Sequence, residues 1–355
     1  MAAPIPKAAL YYSKLSIWAS VPLLALEEKG YGPDEVDLKE VDLSTGENFA
    51  PSYLRINPHA TVPTLVVPLQ NTLQAEIESR YKAIQDSRAI VEFLDKSRSS
   101  QSRTHTTSMA PAPALTPATI AFSATSNKII DLLHSEPADP NALVYFNARD
   151  DKSLKQLAHD VLPKLTAKRE TLTKLIHDNE TAHIRVSEKT QKFWEVKRIA
   201  SDGIISILQN ASKNADELDA TAQKARSEYF AAANAAWNAL KEVLLQLHQE
   251  IIGPYALGDQ LSLADLHLAA WLARLAKLSG ATGADDGNTV TDKIEVHIGN
   301  GFKLPKEFSV AEARRRAGLP PGNVQPTDRQ NRLAAFWDAM KERPSWKKVY
   351  ADGLH

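Results

Sequence analysis

The sequence contains no cysteine among its 355 residues. The chain therefore cannot form a disulfide, a thiolate metal site or a cysteine nucleophile. Any chemistry at sulfur would need a thiol that a ligand supplies. The ten histidines show no H-x-x-x-H or similar ligand spacing, so we also expect no metal site.

An excess of charge and a long apolar run are missing as well. The 42 basic and 43 acidic side chains leave a formal net charge of −1. That balance gives no electrostatic basis for binding nucleic acid or an anionic membrane. The first residues lack the apolar core of a signal peptide, and no stretch approaches the roughly 18–20 residues of a membrane span. We therefore expect a cytoplasmic location, with no membrane span and no nucleic-acid partner.

The length and composition fit a globular protein of two domains, with 43% hydrophobic and 24% charged residues. Apolar runs and alternating patterns predict four strands in the first part of the chain. Ser20 is expected to cap the first helix, with Pro22 in its first turn and Gly30 at its end. The four strands are expected at Lys7–Tyr12, around Val36 and Leu38, at Thr64–Val67 and at Tyr81–Ile84.

A second helix is expected to begin at Asp86 and to carry an apolar stripe of Ile90, Phe93 and Leu94. The order of strand, helix, strand, two further strands and helix describes a small α/β sandwich. The stretch Gln70–Arg80 is longer than a tight hairpin needs, which indicates a surface insertion.

The rest of the chain is predicted to be helical. We expect an α/β domain at residues 1–100, a Ser-, Thr-, Pro- and Ala-rich linker at 101–118, and an all-helical domain at 119–355. That domain contains a long insertion at about 147–214 and an extended loop region at 279–330. The predicted helices include Leu154–Ile176, Phe193–Leu208, Ser227–Ile252 and Arg332–Met340.

Three segments of the first domain carry residues suited to ligand binding. The loop 13–18 presents hydroxyl groups just before the first helix, whose N-terminal N–H groups favour an anion. The pair Asp86-Ser87 can cap the second helix or hold an amino acid moiety there. The segment 57–65 contains Val62-Pro63, where a cis peptide bond would let the Val62 main chain pair with a bound peptide.

Together these segments resemble the glutathione transferase superfamily. Asn57 to Leu65 matches the N-P-x-x-x-V-P-x-L pattern, and the acidic residue followed by serine matches the γ-glutamyl site. The resemblance implies a thioredoxin-like N-terminal domain, an all-helical C-terminal domain and glutathione as co-substrate. It also implies that Val62, Pro63, Asp86 and Ser87 bind glutathione, and that the protein is a homodimer.

The resemblance further implies that a loop hydroxyl faces the glutathione sulfur. Ser16 lies where theta-like members carry a catalytic serine, and Ser13 is the alternative. If the resemblance were aligned in a shifted register, Ser20 would take the place of the catalytic serine. Trp18 and Phe122 are candidates for the pocket of the electrophile, as is Trp271, although packing in the core is the favoured role for any one of these rings.

The segment Gly258 to Asp265 extends the resemblance into the helical domain. Ser262 and Asp265 form an S-x-x-D capping box, which we assign to structure and not to catalysis. The insertion is similar in place and character to one in the ganglioside-induced differentiation-associated proteins, which are membrane-anchored relatives, but no hydrophobic C-terminal anchor follows it here. Fungal transferases are a second similar group. The absence of cysteine argues against the omega and lambda branches.

The sequence therefore predicts a detoxification-type glutathione S-transferase. Such an enzyme conjugates glutathione to a hydrophobic electrophilic small molecule, or uses glutathione to cleave one. A non-catalytic protein of the same fold that binds glutathione and other ligands is the alternative, as is a scaffold whose additional helices serve assembly.

Overall fold

The computed structural model describes residues 7–68, 81–99 and 108–355. Packing divides the chain into two compact units that interleave in sequence. The first unit comprises Met1–Lys39, Pro63–Pro140 and Ala239–His355, and the second comprises Glu40–Val62 and Asn141–Asn238. The predicted insertion at 70–80 and most of the predicted linker's first half lie outside the described residues.

A four-stranded sheet with the order β2-β1-β3-β4 opens the chain. β3 pairs antiparallel with both β1 and β4, and Leu10 lies opposite Leu65 at the buried centre. The strands are β1 Ala8–Tyr12, β2 Val36–Glu40, β3 Thr64–Pro68 and β4 Tyr81–Ile84, followed far along the chain by the short antiparallel pair β5 Phe308–Ser309 and β6 Arg329–Gln330.

Helices account for most of the remaining chain. They are α1 Ile17–Glu28, α2 Pro51–Leu54, α3 Ser87–Ser97, α4 Ile120–Leu133, α5 Pro140–Tyr145, α6 Asp151–Glu180, α7 Glu188–Ala200, α8 Asp202–Gln209, α9 Ala220–Glu250, α10 Leu263–Leu278, α11 Gly287–Ile298, α12 Val310–Arg316, α13 Arg332–Lys341 and α14 Pro344–Val349. Short 3-10 turns lie at Glu47–Phe49, Glu136–Ala138 and Ala215–Glu217. This architecture confirms the predicted fold class.

Helix α10 forms the centre of the first unit. Every residue from Leu263 to Ala276 is buried, and the helix packs against α1, α4, α11 and α13. A helix that is apolar on nearly all sides can only be stable when other elements surround it. The predicted capping box is confirmed: the Asp265 carboxylate accepts hydrogen bonds from the Ser262 N–H and hydroxyl, both at 2.7 Å.

The second unit contains the inserted helices and has two hydrophobic clusters. One lies among α6, α8 and α9 and includes Leu154, Leu157, Ile205, Leu208 and Tyr229. The other joins α6 and α7 to the segment Glu40–Val62 through Phe49, Ala60, Leu172 and Trp194. The inserted helices therefore bury their apolar faces partly on a segment that precedes β3 in sequence.

The start of α1 differs from the prediction. Ser16 is the N-cap, so the helix begins at Ile17, and Ser20 and Pro22 lie inside it. The preference of proline for the first turn made the later serine look like the cap. The α3 stripe also differs, because Val91 is buried and Phe93 is 36% exposed.

Two predictions in the helical part were wrong. The expected helix Phe193–Leu208 is divided at Ser201, whose hydroxyl donates to the Arg198 carbonyl at 3.0 Å and ends α7. The expected loop region 279–330 contains α11 and α12. Its Gly- and Asp-rich flanks obscured the helical spacing of Val290, Ile294 and Ile298, all of which are buried.

The described part of the predicted linker is anchored to the first unit. Asp95 accepts hydrogen bonds from the N–H groups of Leu115 and Thr116, both at 2.9 Å. The same carboxylate forms a buried ion pair of 2.8 Å with Lys29. A composition that is typical of a flexible linker thus does not prevent a segment from being fixed by a buried carboxylate.

Candidate functional site

The loop before α1 presents Ser16 at a helix N-terminus. The Ser16 Oγ accepts a hydrogen bond from the Ala19 N–H at 3.3 Å, and the Ser16 N–H donates to the Ser13 carbonyl at 3.0 Å. Ser16 is half-buried, whereas Ser13 is buried. Of the two predicted loop hydroxyls, the one of Ser16 is therefore the more accessible, and it lies where helix N–H groups favour negative charge.

Several side chains of the first unit hold this loop in place. Arg274 on α10 donates through Nη2 to the Leu15 carbonyl at 2.8 Å. Lys14 forms a 3.0 Å ion pair with Asp352. Ser20, the third serine considered, is buried in α1, and its hydroxyl lies 2.6 Å from His355 Nε2. Ser20 therefore belongs to the packing of α1 and not to the loop.

The start of α3 carries the predicted γ-glutamyl pair. Asp86 is the N-cap, and its Oδ1 accepts a hydrogen bond from the Ala89 N–H at 3.0 Å. Ser87 is buried at the first helical position. The next residue, Arg88, donates to Asp131 and Asn127 on α4, each at 2.7 Å. The capping role expected of Asp86 is thus present, and a carboxylate has acceptor capacity for a ligand amine as well.

The Val62-Pro63 peptide bond is trans, which corrects the expectation of a cis bond. Trans is the default for a residue before proline by about 0.5–1 kcal/mol, and only a specific tertiary environment reverses it. The chain before Pro63 is held by side chains of the second unit. Asn57 Nδ2 and the Tyr53 hydroxyl donate to the Thr61 carbonyl at 2.9 and 2.6 Å. Val62 itself is buried.

An aromatic cluster beside the start of α1 was not predicted. The rings of Trp18 and His134, the residue that ends α4, stack with centroids 3.9 Å apart and planes 18° apart. His134 Nε2 lies 2.9 Å from Nδ1 of His267 on α10. Trp18 was a pocket candidate, but the two histidines are 133 residues apart in sequence, so no local pattern could have paired them.

In this cluster His267 is fully buried, and its burial sets its protonation. Desolvation lowers the pKa of His267 well below its ordinary value, and the neighbouring His134 acts in the same direction. Desolvation also lowers the pKa of His134, partly opposed by the carboxylate of Asp86. His267 Nε2 has no hydrogen-bond partner among the described residues. Both rings are therefore neutral at pH 7. Because His267 is fully buried, the aromatic shelf consists of the stacked rings of Trp18 and His134 alone.

The other two aromatic candidates lie elsewhere. Phe122 is in the first turn of α4, about 18 Å along the helix axis from His134, so the structure does not bring it to Trp18. Trp271 is fully buried on α10, and its indole N–H donates to the Ala138 carbonyl at 2.8 Å. Trp271 therefore belongs to the core.

Within the described residues, no three His, Asp or Glu side chains are grouped as metal ligands would be. In the same part of the chain, every helix is too short or too polar to span a bilayer.

Comparison with solved structures gives distant similarities. Beta-etherase LigF from Sphingobium sp. strain SYK-6 is 16% identical, with a TM-score of 0.47, over 98% of this chain and 100% of that one. Glutathione transferase F7 from Populus trichocarpa is also 16% identical, with a TM-score of 0.45, over 98% and 99%.

A similarity in sequence is stronger but local. Tetrachloro-p-hydroquinone reductive dehalogenase from Sphingobium chlorophenolicum is 44% identical over 64 residues, which are 18% of this chain. The match spans 25% of the length of that relative.

Two domain families match the chain itself. Residues 15–97 match the glutathione S-transferase N-terminal domain, and they include Ser16, Val62 and Asp86. Residues 201–292 match the glutathione S-transferase C-terminal domain, and they include the capping box of α10. With both domains in their proper order on the observed fold, the chain belongs to the glutathione transferase superfamily.

Proposed function

We propose that the protein is a glutathione S-transferase of the serine type. The thiolate of bound glutathione attacks a hydrophobic electrophilic small molecule, either to form a conjugate or to cleave it. Ser16 donates its O–H to the sulfur and is the catalytic residue. The observation that carries this proposal is the half-buried Ser16 hydroxyl at the N-terminus of α1, inside the segment that matches the N-terminal domain of the family.

One hydroxyl group at a helix N-terminus can supply the free energy needed to lower the pKa of the glutathione thiol. A free thiol with a pKa of about 8.5 is only a few per cent ionised at neutral pH. Lowering that pKa by about 1.5–2 units needs roughly 2–3 kcal/mol of preference for the anion. A hydrogen bond to a charged group contributes about 1.5–3 kcal/mol, and a helix N-terminus adds about 0.3–1 kcal/mol. Neither a metal nor a buried base is required.

The rest of the tripeptide would be held by charge and by main-chain pairing. Asp86 accepts from the γ-glutamyl amine, and Ser87 lies beside it at the start of α3. The main chain at Val62, followed by Pro63, pairs with the cysteinyl part as an added strand would. The bond at Pro63 is trans, and calorimetry with reduced glutathione tests this role of Val62.

The electrophile is assigned to the aromatic shelf that Trp18 forms with His134. Flat stacked rings favour a planar aromatic substrate. The dehalogenase relative is named for a chlorinated hydroquinone, which makes halogenated aromatic compounds the first class to assay.

The substitution Ser16→Ala tests this function. We expect turnover to fall about 10- to 100-fold, because the thiolate loses one charge-assisted hydrogen bond. The Kd of reduced glutathione, measured by calorimetry, should change by less than about threefold, because Asp86 and the main chain at Val62 still hold the peptide.

Two serine variants serve as controls for that experiment. Ser20→Ala should keep most of the activity, because Ser20 is buried inside α1. Ser13→Ala tests the alternative loop hydroxyl. Unchanged rates in Ser16→Ala would remove this residue from the mechanism, and glutathione binding without any turnover by the unmodified protein would favour a non-catalytic binding protein.

A further inference from the structure

The inserted helices contact the part of the chain that leads to the proposed glutathione clamp. Trp194 on α7 is fully buried, and its indole N–H donates to the Phe49 carbonyl at 3.0 Å. The Phe49 ring also packs against Phe193, with centroids 6.2 Å apart. A directional hydrogen bond and ring packing thus connect α7 with one point of the segment Glu40–Val62.

Helix α6 contributes two further contacts to the same segment. The buried Leu172 packs in one cluster with Phe49, Ala60 and Trp194. One residue earlier, the Thr171 hydroxyl donates to the Thr45 carbonyl at 2.7 Å. Helices α6 and α7 therefore contact the segment near its beginning, its middle and its end.

Hydrogen bonds inside the segment continue from these contacts to Ala60 and Thr61, the residues just before Val62. Asn48, the neighbour of Phe49, donates through Nδ2 to the Ala60 carbonyl at 2.7 Å. Ala60 has φ 56°, a left-handed conformation that a residue with a side chain keeps only when its surroundings impose it. The Tyr53 hydroxyl then holds the Thr61 carbonyl at 2.6 Å.

We propose that α6 and α7 position the main chain at Thr61 and Val62 for glutathione, and that Trp194 is the central positioning residue. This inference rests on the proposed function, because it assumes that this main chain binds the tripeptide. Main-chain pairing needs the bound geometry to within about 0.5 Å. A segment with one left-handed alanine and no regular ladder of its own reaches that precision only through outside support.

The substitution Trp194→Phe tests the proposal. It keeps most of the aromatic volume and removes the N–H that Phe49 requires. We expect the Kd and the KM of glutathione to rise about fivefold or more. We expect kcat at saturating glutathione to change by less than about twofold, because the groups around the reacting sulfur are unaltered. Calorimetry and steady-state kinetics measure the two effects.

Trp237→Phe is a matched control in the same unit. Trp237 is equally buried, and its indole N–H also donates at 3.0 Å to a phenylalanine carbonyl, that of Phe146. Both variants should lose similar stability in urea, but only Trp194→Phe should weaken glutathione binding. Equal glutathione affinities in the two variants would overturn the proposal.

A second pair of variants applies if Trp194→Phe fails to fold. Thr171→Val removes the hydroxyl that donates to Thr45, whereas Thr173→Val removes one that donates to Arg169 within α6. Only the first should raise the Kd of glutathione, by about twofold or more. If the unmodified protein shows no binding heat with glutathione, the proposed function itself fails. If it binds and both threonine variants bind equally well, only the positioning role fails.

Discussion

At the scale of single residues, burial from water sets the state of a few polar side chains near the candidate site. Ser16 is half-buried and accepts from Ala19, so its hydroxyl is oriented before any ligand arrives. His267 is buried beside His134 and stays neutral. The orientation of the Ser16 hydroxyl follows from its place at a helix start, whereas the neutral state of His267 is set entirely by packing.

The pH dependence of stability should reveal His267. Its pKa in the folded protein lies below the unfolded value of about 6.5, so its contribution is complete above that pH and is lost as the pH falls. Between about pH 7.5 and 5.5, the unmodified protein should lose roughly 1 kcal/mol more unfolding free energy than His267→Gln. Urea titrations at both pH values measure the difference.

The titration of Asp265 changes the unfolding free energy in the opposite direction over part of this pH range. Burial raises its pKa to about 6, so its contribution increases as the pH falls. Because Asp265 is present in both proteins, its effect cancels in the comparison. Identical pH profiles for the two proteins would show that His267 does not titrate as its burial requires.

At the scale of elements, the start of α10 depends on one buried carboxylate, that of Asp265. The buried Asp265 accepts hydrogen bonds from the Ser262 N–H, the Ser262 hydroxyl and the Ala256 N–H. These donors connect the loop before the helix to its first turn. The capping-box pattern predicted this arrangement, apart from the contribution of Ala256.

Asp265→Ala should destabilise the protein strongly. It leaves two buried N–H groups without their acceptor, and we expect a loss of roughly 2–4 kcal/mol. Asp286→Ala removes the exposed cap of α11, whose carboxylate accepts from the Thr289 N–H at 2.7 Å, and should cost about 1 kcal/mol. Urea unfolding of both variants provides the comparison, and equal losses would contradict a special role for burial at Asp265.

Local patterns predicted some elements better than others. The strands were predicted from apolar runs and alternating patterns, and the start of α3 was predicted from its cap, Asp86. Both signals are local, because adjacent residues encode them. The start of α1 was misplaced because Ser16 and Ser20 are both acceptable caps and only packing chooses between them. Helix α11 was missed because its flanks carry loop residues, while its buried stripe depends on α10 and α13.

At the scale of the whole molecule, family membership and the missing cysteine define the class of chemistry. In the proposed reaction the thiol comes from glutathione, because the chain has none. Homodimer formation and a cytoplasmic location remain predictions. Sedimentation velocity tests the first: we expect a species of twice the 39.0 kDa chain mass at micromolar concentration. A single species at the chain mass over that range would exclude the homodimer.

The sequence by itself determined the fold class, the family and the order of the proposed site residues. It did so because strand alternation, helix caps and the N-P-x-x-x-V-P-x-L pattern are local features that adjacent residues encode. Only the tertiary structure decided that His134 meets His267 and that Trp194 supports Phe49. Those features join residues far apart in sequence, and their energies arise from burial that no local segment provides.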